Sequence, residues 1–306
     1  MIVNEIRPSG FCSGVARALQ VVKNAINDEN IIKPLYTLGL IVHNKKLSEA
    51  LASFNVISLD QTNKTRLELI DQINGGTVVL TAHGVSDLVK EKLKEKNIPF
   101  LDATCRDVYK VHEHIKTHLE THEILYVGKP HHPEVEGVLG IDPNITLITN
   151  LDDVNNFSKK TTKPLYLTNQ TTLSLFDVYP IIDELSKRFE LKFDNDICNA
   201  TTIRQKAVIE QPQADLLIVV GDKLSSNTNK LKEVSLRGKK TSYLVESVED
   251  IKIEWLLNIN SINVTSGAST PRALTKEVIN YLKRFNKNDP TTWDNRSMLT
   301  YSDILK

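Results

Sequence analysis

Short apolar runs alternate along this chain with stretches in which apolar residues recur every three or four positions. Extended segments at residues 2–6, 98–101 and 191–193 each lead into a helical pattern. Val15, Leu19, Val22 and Ile26 mark the first, and Val108, Val111, Ile115 and Leu119 the second. Another kind of apolar run ends in glycine, at residues 35–39, 124–128 and 216–221, and a third ends in a polar cluster, at 78–83, 165–171 and 262–269. Strands alternating with helices predict parallel sheets covered by helices, with right-handed crossovers and functional groups gathered at the carboxyl ends of the strands.

The runs keep phase with one another. Cys12, Cys105 and Cys198 each fall at a strand-to-helix turn, and the steps from 12 to 105 and from 105 to 198 are both 93 residues. Four residues after Gly39, Gly128 and Gly221 stand His43, His132 and Ser225, and Thr81, Thr168 and Thr265 follow the same glycines by 42, 40 and 44 residues. The expected fold is α/β, with three pseudo-threefold-related α/β units of mostly parallel sheet. They comprise residues 13–97, residues 98–190, and residues 1–12 joined with 191–286, followed by a C-terminal tail over 287–306 that contains Trp293 and Tyr301. Packed about such an axis with strand ends inward, the units would bring the three cysteines to one point among His43, His83, His132, Thr171, Ser225 and Ser269.

Composition narrows the chemistry. The 306 residues are 40% apolar, enough for a real core, and 38 basic against 38 acidic side chains leave no large basic field for nucleic acid or an anionic membrane. Small-molecule chemistry is therefore expected. No basic leader opens the chain and no run approaches the ~18 apolar residues that span a bilayer, which points to the cytoplasm. Three distant cysteines, odd in number, argue against a disulfide framework. Gly10 and Gly14 are too sparse for a dinucleotide fingerprint and no G-x-x-x-x-G-K occurs, so neither nicotinamide nor ATP is expected.

Soft thiolates favour zinc, copper(I) or an iron–sulfur cluster. Zinc sites usually draw on close Cys-x-x-Cys or His pairs, which none of these cysteines has. A cubane cluster held by three cysteines keeps one iron without a protein ligand, open to substrate. Ser225, Ser226 and Asn227 offer hydroxyls, an amide and backbone N–H groups just beyond a strand, at the expected start of a helix, a setting that suits phosphate. Ser269 is placed similarly, with Pro271 expected in the first helical turn and the serine and threonine before it as caps. His43, His83 and His132 add donors, so the ring fits a diphosphate without magnesium. Glu134, two residues past His132, becomes the proton donor where desolvation raises its pKa. Taken singly, each serine is a helix cap and each cysteine a small buried hydrophobe; the shared phase favours function. His112, His114, His118 and His122 flank the apolar row at 108–119 and read as a solvated helix face.

Several runs of residues are recognisable together: Gly10 to Ala18, Val42 to Asn44, Ala82 to Ser86, Asp102 to Cys105, His132 to Val135, Gln170 to Ser174, Ser225 to Asn227 and Gly267 to Ser269. Over residues 10–275 the chain closely resembles the 4-hydroxy-3-methylbut-2-enyl diphosphate reductase family of the non-mevalonate isoprenoid pathway. The resemblance implies a cloverleaf around one [4Fe–4S] cluster with Cys12, Cys105 and Cys198 as ligands and one open iron. It implies substrate binding by His43, His83, His132, Thr171, Ser225, Ser226, Asn227 and Ser269, with Glu134 and Thr171 catalytic. It also implies reductive dehydroxylation of an allylic diphosphate to isopentenyl and dimethylallyl diphosphates, with electrons from ferredoxin or flavodoxin. Arg106, where the family commonly has proline, and the lead Lys129-Pro130-His131 depart from its pattern without replacing an expected ligand. A non-catalytic iron–sulfur or zinc ligand-binding sensor on the same scaffold is the rival reading, and Glu134 with the full anion ring argues against it.

Overall fold

The structure is a computed structural model and describes residues 1–61 and 64–306. In chain order its elements begin with β1 (Ile2–Glu5), α1 (Ser13–Asn27), β2 (Leu35–Leu38), α2 (Lys45–Ala52), β3 (Val56–Leu59), α3 (Arg66–Ile70), β4 (Thr77–Leu80), α4 (Asp87–Glu95) and β5 (Phe100–Asp102). There follow α5 (Arg106–His118), β6 (Glu123–Val127), α6 (Pro133–Leu139), β7 (Thr146–Ile148), α7 (Leu151–Asn156), β8 (Leu165–Asn169), α8 (Leu175–Ser186) and β9 (Leu191–Phe193). The chain closes with α9 (Asn199–Ile209), β10 (Leu216–Val220), α10 (Ser226–Arg237), β11 (Ser242–Val245), β12 (Ser261–Ser266), α11 (Arg272–Arg284) and α12 (Tyr301–Leu305).

Among the described residues the strands form three four-stranded sheets, parallel throughout: sheet I in the order β3-β2-β4-β5, sheet II β7-β6-β8-β9 and sheet III β11-β10-β12-β1. One order is thus used three times, and each cysteine follows the edge strand at the end of its row. The chain divides into two compact units, Met1–Ala16 with Val42–Phe54 and Asn199–Lys306, and Arg17–Ile41 with Asn55–Cys198. Sheet III lies in the first and sheets I and II in the second.

Burial on both faces of the sheets explains the near-continuous apolar runs. In sheet III, Leu216, Ile218 and Val220 pack with Leu274, Val278 and Leu282 of α11, while Leu217 and Val219 face Val208 of α9 and Leu231 and Val234 of α10. The period of two along the strand and of four along α11 is what each backbone geometry dictates. Sheet II repeats the plan. Leu125, Val127, Leu165 and Leu167 pack on Val178, Ile181 and Leu185 of α8, and Ile124, Tyr126 and Tyr166 on Val111 and Ile115 of α5 and Val135 and Val138 of α6. Each such side chain, fully buried, contributes roughly 1.5–3 kcal/mol before the entropy of ordering it is counted.

Strand pairing refines the expected partition. β5 pairs with β4, and β9 with β8, so sheet I runs past residue 97 and sheet II past residue 190. Each edge strand returns to the sheet it has just left, across one helix, because a parallel partner lies there. The tail packs on its own unit: Trp293 stacks against Phe285 at 6.1 Å, and α12 buries Ile304 and Leu305 and rests on α2 and α11. No described helix is long and apolar enough to cross a membrane.

The histidine row is solvated only in part: His114, His118 and His122 are half-buried, and His112 departs from the expected solvated face. His112 is 6% exposed, His114 Nδ1 lies 3.0 Å from a carboxylate oxygen of the buried Asp196, and the His118 ring stacks on Tyr166 at 3.9 Å. His122 lies beyond the end of α5. For His112 the reason is packing from a second side: the turn after β4 presses on α5, where a Cβ on Gly84 would meet Val108 at 2.9 Å and His112 at 3.7 Å.

Candidate active site

In each sheet the order of strands reverses between two central strands, β2 and β4, β6 and β8, or β10 and β12. Crevices at such reversals, beyond the carboxyl ends of the strands, are where open α/β sheets bind ligands. The local hydrogen bonds repeat with the order. The N–H groups of Gly39, Gly128 and Gly221 donate to Leu59, Ile148 and Val245, the ends of the neighbouring edge strands, at 2.7, 3.1 and 2.8 Å. The N–H groups of Cys12, Cys105 and Cys198 donate to Ala268, Ala82 and Thr171, in the loops after β12, β4 and β8, at 3.1, 3.0 and 3.0 Å. All three cysteines are half-buried, each just before a helix. Cys12 lies in the first compact unit and Cys105 and Cys198 in the second. Each cysteine is a soft donor held by its own backbone in an equivalent turn, the donor type that iron–sulfur chemistry uses.

The sheet II crevice holds the acid. Pro133 starts α6 and His132 caps it, its Nδ1 accepting from the Glu134 N–H at 3.1 Å, which leaves Nε2 of a neutral ring as a donor. Glu134 is 1% exposed. One carboxylate oxygen accepts from the Thr171 N–H at 2.8 Å and the Tyr126 hydroxyl at 3.1 Å, and the other from the Thr171 hydroxyl at 2.9 Å. Burial pushes this carboxyl up to about 7, and the bonds from Thr171 and Tyr126 restrain the rise. Tyr126, buried on β6 beneath it, was not foreseen as part of the site; a hydroxyl-bearing residue on the glycine-ending strand was the available signal.

The sheet III crevice is built of neutral donors. Ser225 caps α10 by accepting from the Thr228 N–H at 3.3 Å, and its hydroxyl lies 3.0 Å from that of Ser269. Asn227 accepts from the Ala268 N–H at 2.9 Å, so the loops after β10 and β12 are laced together. The Ser226 hydroxyl is buried with no hydrogen-bond partner among the described residues. Close approach requires glycine here: a Cβ on Gly267 would stand 2.0 Å from the Thr228 hydroxyl. Pro271 occupies the cap position of α11 instead of its first turn, and that helix has no side-chain cap, so Ser269 is left to face Ser225. Hydroxyls, an amide and the start of α10 suit an oxyanion.

In sheet I, His83 Nδ1 lies 3.5 Å from the Thr81 hydroxyl, and its ring meets that of His132 edge to face at 5.6 Å. His43 belongs to the first unit, half-buried at the turn that Asn44 caps to start α2. The structure therefore pairs Glu134 with Thr171, His83 with His132, and Ser225 with Ser269.

The family model for LytB protein matches residues 3–283. The 4-hydroxy-3-methylbut-2-enyl diphosphate reductase of Bacillus cytotoxicus is 43% identical over 311 residues, covering 100% of this chain and 98% of that protein. The protein of the same name from Bacillus velezensis is 42% identical over the same shares. Among solved structures, the E-1-hydroxy-2-methyl-but-2-enyl-4-diphosphate reductase of Plasmodium falciparum superimposes with a TM-score of 0.86 at 32% identity, over 94% of this chain and 89% of that one. An (E)-4-hydroxy-3-methyl-but-2-enyl diphosphate reductase, described as the terminal enzyme of the non-mevalonate pathway, gives 0.66 at 28%, over 93% of this chain and 100% of that one. With a match over nearly its whole length and the same α/β architecture, the chain belongs to the LytB protein family.

Proposed function

We propose that this chain is an oxidoreductase that converts 4-hydroxy-3-methylbut-2-enyl diphosphate to isopentenyl and dimethylallyl diphosphates, the last step of the non-mevalonate pathway. Two electrons and two protons enter, the allylic carbon–oxygen bond breaks, and the hydroxyl leaves as water. The carrying observation is the buried Glu134–Thr171 pair on a chain 43% identical to named reductases over its full length.

Cys12, Cys105 and Cys198 would hold the cluster, read as [4Fe–4S] with three cysteine ligands and one open iron. When bound, that group supplies single electrons and a Lewis-acidic iron. Glu134, with a pKa near 7, keeps a proton available at neutral pH, and Thr171, hydrogen-bonded to it, relays that proton to the departing hydroxyl. Burial keeps bulk water from competing for the proton. Ser225, Ser226, Asn227 and Ser269 bind the diphosphate with His43, His83 and His132, orienting the allylic end toward Thr171. Ferredoxin or flavodoxin delivers the electrons, in the cytoplasm. The domain reading, three repeats with an appended tail, belongs to the same proposal.

The test is anaerobic reconstitution with iron and sulfide, followed by reduction of the substrate with a low-potential donor. Both five-carbon diphosphates are expected, with iron and acid-labile sulfide found in the same sample. A full cluster without turnover favours the sensor reading, and a protein that takes up no cluster overturns the proposal.

A further inference from the structure

The turn that carries His43 and the turn that carries Ser225 come from distant parts of the sequence, yet one side chain joins them. Asp222, the residue after Gly221, is 6% exposed. Its Oδ2 accepts from the Lys45 N–H at 2.9 Å and its Oδ1 from the Leu224 N–H at 2.7 Å, while its carbonyl accepts from the Ser225 N–H at 3.1 Å. Lys45 is the first residue of α2, two positions past His43, and its amide has no acceptor within the helix. Asn44 satisfies the Leu47 amide, so Asp222 completes the cap with a full negative charge at the positive end of the helix.

We propose that Asp222 is a positioning residue that fixes the His43 turn against the Ser225 turn, and so sets the spacing of donors around the diphosphate. This rests on the reading that His43 and Ser225 bind that group. Both carboxylate oxygens are occupied by backbone donors, so Asp222 need not touch the anion, which its charge would repel. Charge-assisted bonds to two amides make a short and directional link, and hydrogen bonds to a diphosphate weaken steeply when donors are misplaced. From the other side, α12 packs on α2, and Lys46 lies 3.8 Å from Glu249. The helix after His43 is thereby held at its start by Asp222 and along its length by the tail. Nothing in the sequence marked Asp222, because its partner lies 177 residues away and is a backbone amide.

The experiment compares Asp222→Ala and Asp222→Asn with the wild-type holoenzyme. Asp222→Ala should raise KM about tenfold with kcat within about twofold, the pattern of lost uniform binding, and Asp222→Asn, whose amide oxygen still accepts one bond, about threefold. Inhibition by inorganic diphosphate, the probe of the anion site, should weaken in parallel, with iron and sulfide content unchanged. His43→Ala and Ser225→Ala are measured beside them. If these two leave KM unaltered, the reading of the anion site fails. If they raise KM and the Asp222 variants do not, the positioning role alone is overturned. A loss of cluster or of kcat at unchanged KM in both Asp222 variants also overturns it, in favour of a general structural role; should Asp222→Ala not fold, Asp222→Asn decides.

Discussion

The crevices of sheets II and III are built to one plan and hold opposite chemistry. In both, a glycine N–H bonds to the end of the edge strand, a polar residue follows four positions later and caps a helix, and the loop after the next central strand closes the other side. Sheet II then buries a carboxylic acid, whose hydrogen bonds come from Thr171 and Tyr126. Sheet III instead gathers the hydroxyls of Ser225, Ser226 and Ser269 near the start of α10. A scaffold repeated three times decides where functional groups stand; desolvation and hydrogen bonding decide what they do. Withdrawing an acid from water with only neutral donors around it raises its pKa, so it holds a proton, whereas neutral donors ranked at a helix start hold an anion.

The contrast breaks most visibly at Glu134. Glu134→Gln keeps the volume and most hydrogen bonds but has no proton to give, so turnover should fall about 10²- to 10⁴-fold while KM moves little. In the proposed role the acid must be protonated. Activity should therefore decline as pH rises through about 7, where Glu134 ionises. Steady-state kinetics over pH 6 to 9 with saturating reductant read both effects, and a variant with wild-type turnover removes the acid from sheet II.

The sheet III crevice should respond differently and less. On the proposed reading Ser225→Ala or Ser269→Ala each removes one donor to the diphosphate, worth about 1.5–3 kcal/mol, so KM should rise at least about tenfold with kcat close to wild type. A fall in kcat at unchanged KM would mean that these hydroxyls act on the reacting end, and the division of labour between the crevices would not hold.

How far the sequence could be read follows from the range of the interactions involved. The cysteine interval, the glycines and the polar residues after them are local features in fixed phase, and the structure sets each of them at a turn that follows a strand. The edge strands β5 and β9 are short, and only pairing decides which sheet receives them, so the expected boundaries fell before them. Asp222 acts through a distant amide, and His112 is buried by a turn from another part of the chain. Periodicity reports which side of a helix faces its own sheet and is silent on a second layer.

His112 also extends the comparison to sheet I, where the turn after β4 packs on this buried base. Burial lowers its pKa to about 4, with Lys116 and Lys90 lowering it further and Asp87 and Asp102 opposing them. A histidine kept neutral in the fold binds fewer protons than the unfolded chain between its folded pKa and 6.5. Its contribution is thus fully present above about 6.5 and is lost as pH falls toward 4. Between pH 7 and 6 the loss should be about 1 kcal/mol at most, measured as the shift in denaturation midpoint of anaerobic holoenzyme. His112→Gln cannot take up that proton, so its midpoint should change less than the wild type's over this interval. Equal slopes would mean that the ring is hydrated in solution. The turn after β4 would then not exclude water from this position of α5, and burial would have no part in setting the charge of His112.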